Sequence, residues 1–189
     1  MAGRYEIRSL YFDNLSDKAL REKLDGVNRR EKFRIRYYNG DTGMIHLEKK
    51  SKIGDLSQKR SAALALWQVE SILQGESGWA SARDAPLLQE LAIKMRTQRL
   101  RPRTIVDYTR EAFTYGPGDV RVTLDYDIRT GLDCSDFLHP SPTIPAGDAP
   151  ILLEVKWGAF LPSVIRDAVG LENRRTGAFS KYAQCRIYG

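Results

Sequence analysis

The residues of this chain that could do chemistry sit in short alternating runs. Arg34 and Arg36 flank Ile35, Glu48 and Lys50 flank Lys49, Glu154 and Lys156 flank Val155, and Arg121 lies two residues before Thr123. In an extended strand, residues two apart share a face. Read that way, Phe33, Ile35 and Tyr37 oppose Arg34, Arg36 and Tyr38, while Ile45 and Leu47 oppose His46, Glu48 and Lys50. Val120, Val122 and Leu124 oppose Arg121, Thr123 and Asp125, and Ile151, Leu153, Val155 and Trp157 oppose Leu152, Glu154 and Lys156. One face is apolar and the other is mostly cationic, with Lys59 and Arg110 nearby. Like charges on one sheet repel unless a bound anion neutralises them. A guanidinium fork pairs with two phosphate oxygens, and a lysine adds a point charge. A concave sheet or closed barrel with this lining would be a basic tunnel. A half-solvated sheet with its polar face in water explains any single strand as well.

The carboxylates leave two readings open. Glu48 and Glu154 could be ion-pair partners of the neighbouring cations. They could also hold a hard divalent cation, which takes one or two carboxylates and shares phosphate oxygens. His46 and His139 are too scattered for a histidine metal site. Ser180 beside Lys181 lacks the SxxK frame of a nucleophile pair. Tyr11, Phe12, Tyr37 and Tyr38 could stack bases, but strand aromatics are more often core, and no nucleic-acid signature occurs.

Composition agrees with a folded globular protein. The chain has 189 residues with 30 Lys+Arg against 24 Asp+Glu, a formal charge of +6. Such a balance suits a polyanionic partner, whether nucleic acid, an anionic membrane or a phosphate-rich small molecule, and ordinary solvated surface charge explains it as well. Hydrophobic residues make up 42%, which excludes whole-chain disorder. There is no apolar run of about 18 residues for a membrane span, and no apolar leader at Met1–Tyr5. Cys134 and Cys185 form no CxxC pair, so neither a disulfide scaffold nor a zinc ribbon is expected, and the setting is expected to be cytoplasmic.

The elements that position these residues follow from pattern. Strands are expected at 4–12, 32–38, 44–50, 103–113, 119–126 and 151–157. Asn39–Gly43 and Tyr115–Gly118 read as hairpin turns. Helices are expected from Ser16 as N-cap to Leu24, from Leu64 to Gln74, from Asp84 as N-cap to about Gln98, and after Pro162. Residues 139–150 carry four prolines and read as a loop. The tail from Phe179 to Tyr182 reads as a loop or a last strand. These elements form one α+β domain over 1–189, an antiparallel sheet or barrel with helices outside.

Six motifs together resemble the VTC domain, the polyphosphate polymerase domain of the vacuolar transporter chaperone family. They are Ile7–Asp13, Phe33–Tyr38, Leu47–Lys50, Leu100–Pro102, Leu153–Lys156 and Phe179–Tyr182. The resemblance implies a triphosphate tunnel metalloenzyme, an antiparallel β-barrel around a basic tunnel. It implies phosphate contacts from Arg34 and Arg36, from Lys50 and Lys59, from Tyr108 and Arg110, and from Arg121. Lys156 would add a charge, Ser180 and Lys181 would lie at the tunnel mouth, and Glu154 would hold the metal with Glu48 as a second carboxylate. Family members begin with a further strand and helix that this chain does not show, and Ala178 stands where the polymerase has a tail lysine.

The expectation is therefore a Mg²⁺- or Mn²⁺-dependent phosphotransferase that makes polyphosphate from ATP. Arg34, Arg36, Lys50, Arg110, Arg121 and Lys181 would be its catalytic cations. A triphosphatase or polyphosphatase, and a non-catalytic polyphosphate-binding module, are the alternatives. With the first strand lacking, segment 4–12 or its neighbour would be a sticky bare edge prone to self-association.

Overall fold

The computed structural model describes residues 3–76, 78–148, 151–171 and 176–188. Eight strands form one antiparallel sheet: β1 (Gly3–Asp13), β2 (Arg29–Tyr38), β3 (Asp41–Ile53), β4 (Leu56–Leu64), β5 (Arg101–Tyr115), β6 (Val120–Gly131), β7 (Thr143–Pro145) and β8 (Leu152–Lys156). Their order is β4-β3-β2-β1-β5-β6-β7, with β8 also on β6. The helices are α1 (Lys18–Leu24), α2 (Leu66–Leu73), α3 (Pro86–Thr97), α4 (Ser163–Val169) and α5 (Lys181–Cys185).

Alternation in β2 and β3 divides the molecule as the sequence suggests. Leu10, Phe12, Phe33, Ile35, Tyr37, Ile45 and Leu47 turn outward and pack under α2 and α3, against Val69, Ile72, Leu87, Leu88 and Leu91. Each fully buried aliphatic side chain there contributes about 1.5–3 kcal/mol. The inner face is polar along β2 and β3 but is plugged towards α5 by a second cluster of Ile7, Tyr11, Val106, Tyr108, Tyr182 and Cys185.

Three elements differ in kind from expectation, and a fourth in its cap. The segment before α2 is the strand β4, and the helix begins two residues later than Leu64. Thr143–Pro145 forms a three-residue ladder on β6 despite its prolines, since Pro145 closes the strand at a margin of the sheet where its missing N–H costs little. The tail stays a loop through Phe179 and Ser180, but Lys181 and Tyr182 open α5, capped by Ser180, whose hydroxyl accepts from the Ala183 N–H at 3.3 Å. Helix α1 is also capped differently. Asp13 accepts from the N–H groups of Ala19 and Leu20 at 2.8 and 3.0 Å, and Asn14 accepts from Ser16 and Lys18 at 3.0 Å each.

The largest correction concerns the bare edge. Segment 4–12 lies at the centre of the sheet, because β5 pairs with β1 from Gly3 to Asp13 while β2 takes its other side. Among the described residues the sheet does not close: β4 pairs with β3 alone. That free edge carries Gln58, Lys59 and Arg60, and charged side chains discourage edge-to-edge pairing. The basis for self-association through 4–12 is gone.

Candidate functional site

The inner faces converge on a trough of about 230 Å³. Its walls include Arg34 and Arg36 of β2, Glu48 and Lys50 of β3, Lys59 of β4, Tyr108 and Arg110 of β5, Glu154 and Lys156 of β8, and Ser180 and Lys181 at the start of α5. These residues are far apart in sequence, and the sheet register gathers them. Arg34 stands opposite Glu48, Lys50 opposite Lys59, and Thr123 of β6 opposite Glu154. Arg121 is the expected site residue outside this wall. It is exposed on β6, opposite Lys156, and donates to the Tyr5 hydroxyl at 3.1 Å.

Four of the inner cations are held by protein partners. Arg34 donates from Nε to Glu48 at 2.7 Å and from Nη1 to the Tyr11 hydroxyl at 2.8 Å. The buried Arg36 donates to Ser9 at 2.9 Å and to the Tyr108 hydroxyl at 3.0 Å. Arg110 forms two 2.6 Å bonds with Asp125, and Lys181 lies 2.6 Å from the same carboxylate. The Lys181 ammonium also sits 4.6 Å from the Tyr108 ring centre, a favourable cation–π distance. Such second contacts fix the forks before any ligand arrives.

The two glutamates have unlike surroundings. Burial pushes the Glu48 carboxyl up, but Arg34, Lys59 and Arg36 outweigh it and hold it down at about 2. Its oxygens lie 2.6 Å from Arg34 Nη2 and 2.5 Å from Lys59 Nζ. Glu48 is thus a counter-ion here and offers no free lone pair to a metal without releasing a cation. Glu154 is half exposed, and its ion pair is with Lys156 at 3.4 Å. Among the described residues no three acid, histidine or cysteine groups cluster as a metal cage. The donor set fits a hard cation that keeps water and takes phosphate oxygens beside one carboxylate.

Three contributors escape the motif reading. Asp125 anchors two cations, Lys32 continues the cationic row of β2, and Tyr11 meets Arg34. Alternation along β1 could have found Tyr11, since it shares a face with Ser9. Burial would ordinarily raise this phenol, but Arg34, Lys32 and Arg36 pull it down to about 7. Its ring stacks on Tyr182 with centres 5.1 Å apart, and Tyr182 in turn donates to Asp13 at 2.7 Å.

The fold resembles that of a provisionally assigned adenylyl cyclase from Hippeastrum, described as having a dominant triphosphatase activity. The two share 12% identity with a TM-score of 0.50, over 88% of this chain and 71% of that one. A provisionally assigned adenylate cyclase from Bacillus halodurans aligns at 12% identity and a TM-score of 0.46. That match covers 68% of this chain, which spans 59% of the Bacillus protein. A comparison with curated proteins gave no match. No helix among the described residues is long and apolar enough to cross a membrane. The VTC-domain profile matches residues 2–188, and with five of the six motifs contributing residues to one trough, the chain belongs to the VTC domain family.

Proposed function

We propose that this chain is a metal-dependent phosphotransferase that holds a nucleoside triphosphate in the trough and extends inorganic polyphosphate from it. The observation that carries the reading is the convergence of Arg34, Arg36, Lys50, Lys59, Arg110 and Lys181 on one concave wall. Phosphoryl transfer asks a protein mainly for positioning and charge neutralisation. Arg34, Arg36 and Arg110 would clamp phosphate oxygens, while Lys50, Lys59, Lys156 and Lys181 would neutralise the developing charge. Tyr108 would orient Arg36, Ser180 would serve the mouth, and Arg121 would guide the substrate from outside. Glu154 would hold Mg²⁺ or Mn²⁺, which supplies Lewis-acid neutralisation of the phosphate oxygens when bound; Glu48 would join it only after yielding Lys59. A terminal oxygen of the acceptor chain attacks the γ-phosphorus, the bond to the β–γ bridging oxygen breaks, and ADP leaves with that electron pair.

Hydrolysis is the second reading, favoured by a sheet that does not close: among the described residues β4 pairs with β3 alone, and water would reach the same phosphorus from that side. The triphosphatase activity in the Hippeastrum description points the same way. The unpaired thiols of Cys134 and Cys185 support a cytoplasmic setting. The test uses γ-labelled ATP with saturating Mg²⁺ or Mn²⁺. Label in long polymer supports synthesis, and label in free phosphate supports hydrolysis. Tight triphosphate binding with no turnover would leave a binding module. Charge reversal at Arg34 or Arg110 should weaken triphosphate binding far more than reversal at Lys18 or Arg21 on α1. Equal losses would mean that net charge alone attracts the ligand.

A further inference from the structure

Beyond the Arg34–Glu48 rung, the inner faces of β2 and β3 stop pairing opposite charges. Lys32 stands opposite Lys50, and Arg30 opposite Lys52. Lys50 is flanked on its other side by Lys59. Like charges directly across a ladder destabilise it, and here they recur on two successive inner rungs. From Arg34 to Arg30 this row runs for about 13 Å at about 3.3 Å per residue.

A cavity of about 330 Å³ lies along the row. It shares Lys32, Lys50, Phe179 and Ser180 with the trough and adds Lys23 of α1 and Lys52 of β3. Its carboxylates do not neutralise it. Glu31 is engaged by Lys49 and Lys94, which leaves Asp55. None of Lys23, Lys32, Lys50 and Lys52 forms an ion pair among the described residues. Burial lowers the Lys32 ammonium; Tyr11 attracts it, but Arg34, Lys50 and Lys23 repel it. An anion in the cavity would relieve all of these repulsions at once.

We propose that this cavity is a second polyanion subsite, which receives the stretch of a linear polyphosphate that runs on past the triphosphate-length segment in the trough. The proposal rests on the phosphate reading of the trough. Closely set ammonium groups suit a chain with a charge on every unit. A nucleic acid would want a series of stacking rings, and the cavity offers chiefly Phe179.

The experiment compares tripolyphosphate with long-chain linear polyphosphate at fixed ionic strength, by calorimetry, on three proteins: wild type, Arg34→Gln, and the Lys23→Gln/Lys52→Gln double variant. The double variant should lose about tenfold in affinity for the long chain (about 1.4 kcal/mol) and less than about twofold for tripolyphosphate. Arg34→Gln should weaken both ligands. Equal losses for the two ligands in the double variant, or none for the long chain, would overturn the subsite and leave the trough reading standing. Tripolyphosphate that fails to bind wild type, or ignores Arg34→Gln, would overturn both. A single-stranded oligonucleotide that displaces long polyphosphate at lower concentration than polyphosphate itself would reassign the cavity to nucleic acid.

Discussion

Asp125 grips Arg110 with both oxygens, at 2.6 Å from Nε and 2.6 Å from Nη2, and the carboxylate is all but inaccessible to water. The Lys181 ammonium completes a triad 2.6 Å away. Burial alone would raise the Asp125 carboxyl, yet Arg110 and Lys181 hold it below the usual carboxylate range. Asp125→Asn should therefore destabilise the fold by about 3 kcal/mol, the usual cost of stranding buried partners. Saturating tripolyphosphate should recover part of that loss by giving the two cations new oxygens. Thermal denaturation with and without ligand checks this; a ligand-induced shift no larger than in wild type would contradict it.

Tyr11 should make the site respond to neutral pH. Its phenol is drawn from 10.0 to about 7, against burial, by Arg34, Lys32 and Arg36 on β2, and Tyr182 of α5 covers its ring. Between these values the folded chain is ionised there and the unfolded chain is not. This contribution to stability is therefore complete above pH 10, shrinks on descending to 7, and is gone below 7. Near-ultraviolet titration should show one tyrosinate with a midpoint near 7, absent in Tyr11→Phe. Bound tripolyphosphate should move that midpoint upward, since phosphate replaces the phenolate as anion partner of Arg34. An unmoved midpoint would separate Tyr11 from the ligand.

The two glutamates should part company on mutation. Glu154→Gln should leave metal-free triphosphate binding intact or tighter, because a half-exposed negative charge leaves the wall. Any metal-dependent turnover should collapse. Glu48→Gln should instead lower stability, with Arg34 and Lys59 losing their counter-ion. The Glu48 carboxyl is depressed from 4.5 to about 2, so the stability it gives is present above 4.5 and is lost as pH falls towards 2. Denaturation curves across that range, compared between wild type and Glu48→Gln, should converge at the acid end.

Gly131 should tolerate no side chain. A Cβ at this position would lie 2.9 Å from the Cβ of Ile105, a fully buried residue on the neighbouring strand. Gly131→Ala should cost about 1–3 kcal/mol through overpacking, read as a lower denaturation midpoint.

Much of the site was legible because strand parity is a strong signal. Arg34, Arg36, Glu48 and Lys50 fall on the inner face that alternation assigns them. Strand β4 was not legible: Leu56-Ser-Gln-Lys-Arg-Ser-Ala-Ala-Leu64 has few β-branched or aromatic residues, and it is paired on one side only. The tail failed differently. Ser180 followed by Ala183 permitted a cap, but five residues are too few for helical periodicity, and the stack of Tyr182 on Tyr11 settles the matter. The place of β1 could not be read locally, since its second partner lies some hundred residues downstream. Tyr11 was hidden by its own chemistry, an aromatic ring being read as core before its hydroxyl is considered.

The unpaired side of the sheet bears on how a long polymer would load. A closed pore must be threaded from a free end, so its loading slows with polymer length and stops for a molecule tethered at both termini. A gutter whose marginal strand β4 pairs with β3 alone among the described residues could take a strand laid in sideways at any point along its length. Internal segments then become as reachable as termini, and attack there by water would cut a chain in the middle rather than shorten it from one end.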